Sequence, residues 1–231
     1  MTQQLALIVG AGTGLGAALA RRCAANDMRV ALAARNSAKL DEFAAEIGAR
    51  TYRCDASVAT EVERLFNNLH GDWGAPDLVI YNAGARVRGA IADLAPQEVE
   101  QALMATCFGG FLVGQQAARQ MLRRGGGTIL FTGASASVKG YANSAPFAMG
   151  KFGLRGLAQS MARELAPKGI HVAHVVIDGG IAPRPEAGAQ APRDDRQLDP
   201  DAIAANYLHL HQQHRSAWTW EIELRPWLEN F

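Results

Sequence analysis

A glycine-rich turn near the start of the chain holds the first residues whose spacing could do chemistry. The segment VGAGTGLG places Gly10, Gly14 and Gly16 between an apolar run, typical of a strand, and an amphipathic run, typical of a helix. Glycines at such a turn let the backbone approach a pyrophosphate, and free amides at a helix N-terminus favour an anion. A tight turn without a ligand is the alternative, but the position between strand and helix favours the nucleotide interpretation.

A second segment, SAPFAMGKFGL, pairs an aromatic ring with a lysine. Phe147 precedes Lys151 by four residues on a predicted helix, so the two side chains share one face. The ammonium group of a lysine could bind an anion or a hydroxyl group, but a phenylalanine ring has no proton to give. Acid–base chemistry at this helix would therefore need another proton donor.

Both segments lie in a regular alternation of short apolar strands with longer amphipathic helices. Strands that are apolar on both faces belong inside a parallel sheet. The sequence therefore predicts an α/β fold, a single Rossmann-type domain over residues 1–231 with a doubly wound parallel sheet and helices on both faces. The main predicted strands are 5–9, 29–34, 49–54, 77–84, 128–132 and 170–177, and the longest predicted helices are 96–122 and 146–165.

The alternation breaks after Ile177. The segment 180–199 is rich in Pro, Gly, Ala and charge without periodicity, which predicts a mobile loop over a substrate. A helix and a last strand, AWTWEIELRPW, are predicted within 200–227.

Composition limits the partners of the chain. The 231 residues carry a net charge of +1 with no basic run, which argues against nucleic acid or an anionic membrane as a partner. No apolar run approaches the ~18 residues of a membrane span, and the N-terminus shows no cationic leader. We therefore expect a soluble cytoplasmic protein with a small-molecule substrate, no metal, and buried free thiols at Cys23, Cys54 and Cys107.

The glycine spacing, the segment YNAG at residues 81–84 and the position of Lys151 together resemble the short-chain dehydrogenase/reductase family over nearly the whole chain. The resemblance implies hydride transfer between a nicotinamide and a carbonyl or alcohol, and a homodimer or homotetramer built on the helices at 96–122 and 146–165. It also implies the residues that line the cofactor, although Asp55 could instead cap a helix. These are Gly10, Gly12, Thr13 and Leu15 at the diphosphate, Asp55, Ala56, Asn82 and Ala83 at the adenine and ribose, and Gly84, Lys151 and Ile181 in the rest of the site.

The end of the second strand indicates which nicotinamide cofactor the chain prefers. A carboxylate for the ribose 2′-hydroxyl of NAD is absent there, and Arg35 stands in its place. A guanidinium suits a 2′-phosphate because its planar fork offers several donors and a permanent charge. The alternative is an ordinary surface arginine, but the location favours NADP(H) over NAD(H).

The resemblance implies a catalytic Asn, Ser, Tyr and Lys, and only Lys151 matches. Phe147 stands at the Tyr position, Thr106 at the Asn position, and the usual spacing places Ala134 at the Ser position, with Ser135 or Ser137 as alternatives after a small shift. Proton donors that could replace the tyrosine are Lys151, Tyr141, Ser135 or a water that they hold. Asp178 also replaces a usual proline after the sixth strand and could be a loop residue only.

Two functions remain open from the sequence. One is an NADP-dependent oxidoreductase with weak or non-standard activity, and the other is an inactive NADP(H)-binding sensor or structural protein. Tryptophans at 218, 220 and 227 favour the first if they border a substrate pocket, although they could fill a subunit interface.

Overall fold

The computed structural model describes residues 3–183 and 195–228. Its centre is a seven-stranded sheet in the order β3-β2-β1-β4-β5-β6-β9, in which every neighbouring pair of strands is parallel. The strands of this sheet are β1 (Leu5–Val9), β2 (Arg29–Ala34), β3 (Arg50–Arg53), β4 (Leu78–Tyr81), β5 (Gly127–Thr132), β6 (Ile170–Ile177) and β9 (Glu221–Leu224).

Burial explains why the central strands read as continuous apolar runs. Every residue of β1, β4 and β6 is buried, because helices cover both faces of a parallel sheet. The predicted doubly wound α/β fold is confirmed. The helices are α1 (Leu15–Ala24), α2 (Asp41–Ile47), α3 (Ala59–Trp73), α4 (Pro96–Leu103), α5 (Gly109–Arg124), α6 (Ala145–Leu165) and α7 (Pro200–Gln212).

Two apolar cores lie on opposite faces of the sheet. Helices α3, α5 and α6 form one core, in which Phe66, Val113 and Leu154 are fully buried. Helices α1, α2 and α7 form the other, which includes Leu19 and Tyr207. The two cores hold the sheet between them, so the carboxyl ends of the strands have a fixed base.

The helix predicted over 96–122 is interrupted by a π-helical turn, Met104–Phe108, between α4 and α5. The Tyr81 hydroxyl donates a hydrogen bond of 2.5 Å to the Ala105 carbonyl inside this turn. A β-carbon at Gly109 would overlap the same hydroxyl, so the helix can pass close to β4 only with glycine there. Such turns are often found at functional sites, and this one contains the buried Thr106.

The chain after β6 differs from its prediction in detail. The ends of the predicted loop at 180–199 pair as a short parallel ribbon, β7 (Gly180–Ile181) with β8 (Gln197–Leu198), and 184–194 lies outside the described residues. The predicted last strand is shortened to β9, which adds to the edge of the sheet beside β6.

Two further expectations concern membrane spans and thiols. Over 3–183 and 195–228, no helix is long and apolar enough to cross a bilayer. All three cysteines are free, and Cys23 and Cys54 are buried as predicted. Cys107 is only half-buried, because it lies on the π turn at the edge of α6 rather than in the core.

Candidate functional site

A cleft of about 980 Å³ opens at the carboxyl ends of the central strands. The chain runs from β1 to β2 on one side and returns to β4 on the other, so the cleft lies where the strand order reverses. Open parallel sheets bind their ligands at this crevice. Nine of the twelve predicted cofactor residues line it: Gly10, Gly12, Thr13, Arg35, Asp55, Ala56, Asn82, Ala83 and Gly84.

The glycine turn forms a backbone cradle at one end of the cleft. Gly10 has a φ of +83°, and a β-carbon there would overlap the backbone of Ala83. The Gly10 and Ala11 amides donate to the Ala33 carbonyl, which fixes the turn, whereas a β-carbon at Gly12 would meet nothing within 4 Å. No side chain caps α1, and the Ala17 and Ala18 amides donate to the Gly14 carbonyl, so the Leu15 and Gly16 amides are the ones left for an anion. The cradle fits a dinucleotide diphosphate.

Leu15 contributes to this cradle differently from its neighbours. Its side chain is buried in the core beneath α1, so only its backbone amide can face a ligand.

The far end of the cleft is positively charged. Arg35 and Lys39 are both exposed and both line the wall, together with Asn36. Lys39 and Asn36 were missed by the sequence analysis. The signal was present, since Asn36 lies at the N-cap of a short 3₁₀ turn, Ser37–Leu40, that closely follows β2, and Lys39 lies within that turn.

Asp55 lines the cleft and does not cap a helix. Its Oδ1 accepts hydrogen bonds from the Ser57 hydroxyl at 2.6 Å and the Ser57 amide at 3.0 Å, and these contacts hold the pKa of the carboxyl below its usual range. Helix α3 starts later, with Val58 at its N-cap. The capping alternative is therefore wrong, and the second carboxylate oxygen of Asp55 has no contact with Ser57.

Asn82 connects the two sides of the cleft. Its amide side chain donates to the Gly10 carbonyl at 3.1 Å, and its backbone amide donates to the Val9 carbonyl at 2.8 Å. These bonds join the end of β4 to the glycine turn. The role of Asn82 in the geometry is to fix the shape of the cradle.

Lys151 projects from α6 into the buried end of the site. Its Nζ donates a hydrogen bond of 2.7 Å to the Thr132 carbonyl, and the residue is only 5% exposed. Burial lowers the pKa of this ammonium to about 8. A β-carbon at Gly84 would lie 3.6 Å from Lys151 Nζ and 3.6 Å from Thr106 Oγ1, so Gly84 keeps open the space where these groups meet the cleft.

The Phe147 ring lies one helical turn before Lys151, as predicted. The Lys151 ammonium is 5.8 Å from the ring centroid, and the central guanidinium carbon of Arg86 is 4.9 Å from it. Two cations therefore contact the face of a ring that has no hydroxyl.

Thr106 occupies the position at which the family resemblance places an asparagine. The side chain is 1% exposed, and its hydroxyl oxygen accepts a hydrogen bond of 3.0 Å from the Ala85 amide. The π turn aims this hydroxyl at the chain segment that follows β4. Its contact is structural, and it holds Gly84 and Ala85 in place.

The two serines considered for the serine position separate clearly, whereas Ala134, at the position given by the usual spacing, has no hydroxyl. Ser137 is fully buried; its oxygen accepts from the Ala134 amide and lies 3.3 Å from His174 Nε2. Ser137 therefore faces the core. Ser135 is half-buried and lines a second, smaller cavity, together with Tyr141. Ser135 is the serine available to a substrate.

A series of hydrogen bonds through His174 supports the loop that carries these serines. Burial lowers the pKa of His174 to about 4, so the ring is neutral near pH 7. Its Nδ1 lies 3.0 Å from a Glu221 oxygen and must donate to it, which leaves Nε2 to accept from Ser137. Arg155 holds the same carboxylate with two bonds of 2.7 Å. Gly133 packs directly on this imidazole, and a β-carbon there would overlap the ring.

Asp178 is more than a loop residue. The side chain is buried, and its carboxylate contacts Lys139 at 3.2 Å and Arg225 at 3.5 Å. The residue that replaces the usual proline therefore ties the loop after β5 to the segment after β9.

Ile181 and two tryptophans lie away from the cleft lining. Ile181 pairs with Leu198 and packs on the core beneath α7. Trp218 stacks on His171 with ring centroids 4.9 Å apart, and it lines a separate depression with Trp220 and the C-terminal half of α6. The expectation that Trp218 and Trp220 border the substrate pocket is wrong, because His171 lies at the opposite end of β6 from the cleft. Trp227 is 78% exposed beyond β9.

Comparison with known proteins finds similarity to short-chain dehydrogenases both in sequence and in structure. Residues 4–184 match the family model of the short chain dehydrogenases. The 3-oxoacyl-[acyl-carrier-protein] reductase MabA of Mycobacterium avium is 31% identical over 175 residues, which cover 76% of this chain and 66% of that protein.

Solved structures extend the likeness to the whole fold. A short-chain dehydrogenase from Rhodopseudomonas palustris is 38% identical, with a TM-score of 0.85, and the match covers 98% of this chain and 100% of that one. A metagenomic short-chain oxidoreductase in complex with NADP is 27% identical, with a TM-score of 0.85, and the match covers 98% of each chain.

Proposed function

Because the chain belongs to the short-chain dehydrogenase/reductase family of oxidoreductases, we propose that it binds NADP(H) and catalyses slow hydride transfer between the nicotinamide and a carbonyl or alcohol substrate. The proposal assigns all of 1–231 to one dinucleotide-binding domain. The substrate is a small molecule.

The observation that carries the choice of cofactor is the charge at the end of β2. Arg35 and Lys39 line the cleft there. An NAD-selective protein needs a carboxylate at the end of its second strand, and this chain has Arg35 at that position instead. A 2′-phosphate would bring both cations a charged partner, beyond the electrostatic attraction between Arg35 and Asp55. The metagenomic relative that was solved with NADP supports the same choice.

Each part of the cleft then has a separate task. The cradle of Gly10, Gly12 and Thr13 binds the diphosphate through backbone amides, and Asp55 receives donors from the adenine. Lys151 binds the ribose hydroxyls at the nicotinamide end. When bound, the nicotinamide supplies or accepts the hydride.

The protein's own residues provide little help with the proton. Ser135 can donate a hydrogen bond to a carbonyl oxygen, but Phe147 has no acidic hydrogen. Loss of a general acid costs ~10²–10⁴-fold in rate. The remaining donors are Lys151, whose pKa of about 8 makes it a usable acid, Tyr141, and water.

A second function is favoured by the same ring. With Phe147 in place of a tyrosine and the Thr106 hydroxyl bonded to the Ala85 amide, the site keeps its cofactor contacts and lacks two polar groups. A protein that binds NADP(H) without turnover, as a redox sensor or a structural partner, fits these features.

A homodimer or homotetramer is part of the proposal. Large apolar side chains on the π turn, at the start of α5 and in the first half of α6 are exposed by 40–53%, and they lie on the helices that the resemblance assigns to subunit contact. They are Phe108, Phe111, Met149 and Phe152.

One experiment separates the two functions. NADPH and NADH affinities are measured by fluorescence titration, and NADPH oxidation is followed across a panel of ketones, aldehydes and quinones. Tight NADPH binding with slow turnover supports the reductase, and tight binding with no turnover on any substrate supports the sensor. Failure to bind NADPH contradicts both.

A further inference from the structure

A cavity of about 330 Å³ lies beside the cleft, and two arginines line it. The residues after Gly84 line the cleft and this cavity alternately. Ala85 and Val87 line the large cleft, whereas Arg86 and Arg88 line the small cavity. The alternation places both guanidinium groups on one side of the segment.

Neither arginine is neutralised within the part of the chain that the structure describes. Both are exposed, and no carboxylate of 3–183 or 195–228 forms an ion pair with either, although Asp93 follows Arg88 by five residues. Arg86 is oriented by the Phe147 ring beneath its guanidinium. The cavity therefore has a net positive wall next to the reacting end of the site.

Neutral hydrogen-bond donors complete the cavity. Ser135, Tyr141 and Asn143 also line it. The Gly89 amide donates to the Asn143 carbonyl at 3.1 Å, which ties the arginine segment to the turn before α6. Asn143 holds the left-handed conformation, with a φ of 57°, that this turn requires.

We propose that this cavity binds the anionic end of the substrate, a carboxylate or a phosphate, whose carbonyl lies toward Ser135 and Lys151. Two guanidinium groups can bind such an oxyanion with paired, charged hydrogen bonds, and the hydroxyls of Ser135 and Tyr141 add neutral ones. The substrate is then an oxo acid or a phosphorylated carbonyl compound. The carbonyl part of this assignment rests on the proposed function, whereas the anion site does not.

The test measures binding separately from turnover. Isothermal titration calorimetry compares 4-carboxybenzaldehyde, its methyl ester and 4-formylphenyl phosphate, with the protein alone and with the protein saturated by NADP⁺. We expect at least one anionic probe to bind ~10-fold or more tighter than the ester, with a gap that shrinks as NaCl is raised. Whichever anion binds more tightly identifies the charged group.

Substitutions assign the preference to the two arginines. Arg86→Gln and Arg88→Gln should each reduce it, and the double variant should abolish it. Arg88→Lys should retain part of the preference for anions, because lysine keeps the positive charge but lacks the planar set of guanidinium donors. Arg123→Gln, which removes an equally exposed charge from the last turn of α5, is the control and should change nothing. Circular dichroism melting verifies that each variant is folded, and Arg86→Lys replaces Arg86→Gln if the latter is not.

The outcomes are decisive for each claim. The anion site is overturned if neither anionic probe binds more tightly than the ester to the unmodified protein, if no probe binds, or if the preference survives the double variant. An acid preference without any NADPH oxidation keeps the anion site and overturns only the reductase.

Discussion

The Arg86 guanidinium lies over the Phe147 ring, with its central carbon 4.9 Å from the centroid, and the Lys151 ammonium lies 5.8 Å from the same point. Both cations therefore attract the Phe147 ring, and the ring interacts with them only through its π electrons. A phenol at this position would be easier to ionise, because both cations favour the charged form and lower its pKa.

Phe147→Tyr should raise kcat/KM for simple carbonyl substrates by ~10²-fold, because it supplies the missing proton donor next to Lys151 and Ser135. NADPH affinity should barely change. The measurement is steady-state NADPH oxidation with one aldehyde. Phe152→Tyr, which adds a hydroxyl to an exposed ring on the same helix, is the matched control. An unmodified protein that turns over at ~10 s⁻¹ and is slowed by Phe147→Tyr would show that another group is the acid.

Arg35→Asp should reverse the cofactor preference. The unmodified protein should bind NADPH ~10-fold or more tighter than NADH, because NADH has no 2′-phosphate to accept a charged hydrogen bond from Arg35. In Arg35→Asp, the new carboxylate should repel the 2′-phosphate of NADPH and accept a hydrogen bond from the ribose 2′-hydroxyl of NADH. Lys39→Gln should weaken NADPH alone and leave NADH unchanged. Fluorescence titration of the three proteins provides all six affinities, and equal affinities of the unmodified protein for NADPH and NADH contradict the assignment.

Lys151 should make stability depend on pH. Burial lowers its pKa from 10.5 to about 8, so between these values the unfolded chain holds more protons and stability rises with pH. Lys151→Met lacks this titration. In urea unfolding, the free energy of unfolding of the variant should exceed that of the unmodified protein by the largest amount at pH 7. This difference should shrink by up to ~3 kcal/mol as the pH is raised toward 10. A difference that is constant with pH would place the ammonium in contact with water.

Ser135 and Ser137 should respond oppositely to removal of their hydroxyls. Ser137→Ala leaves His174 Nε2 and the Ala134 amide without a partner, so it should cost ~1–3 kcal/mol of stability and leave NADPH affinity unchanged. Ser135→Ala should leave the melting temperature within a degree or two and lower kcat/KM. Thermal melts and kinetics on both variants test the pair, and the reverse pattern would exchange their roles.

Phe111→Arg should weaken self-association. Phe108 and Phe111 stack with centroids 5.9 Å apart and are both 40% exposed, so a charge there would be buried in the proposed subunit contact. Sedimentation velocity should show a smaller species, with Leu122→Arg, nearer the end of α5, as the comparison. A monomeric unmodified protein contradicts the proposal.

Periodicity and the glycine turn were sufficient to predict the parallel sheet and most of the cleft, because β1 and β4 are continuous apolar runs and β6 is apolar apart from His171 and His174. The π turn could not be predicted, since it depends on the Tyr81 hydroxyl meeting Ala105 and Gly109 from a distant strand. Sequence spacing also left Ser135 and Ser137 undecided, because the imidazole that selects Ser137 comes from β6.

Arg86 and Arg88 carry no motif at all. They became a candidate site only when the fold placed them in one cavity with Tyr141 and Asn143, a relationship between segments that are more than fifty positions apart in the chain. The two tryptophans were misplaced for a related reason. The sequence predicted the last strand, but not the edge of the sheet that it would join, so the end of the sheet at which Trp218 and Trp220 lie was not defined.

The tight packing of Gly133 on His174 has an evolutionary consequence. No side chain can be added at position 133 while an imidazole occupies position 174, because its first carbon would overlap the ring. In related chains the two positions should therefore change together, with a residue larger than glycine at 133 appearing only where 174 has become smaller. Since the imidazole also contacts Ser137 and Glu221, such a lineage would have to acquire a new way of bracing the serine loop.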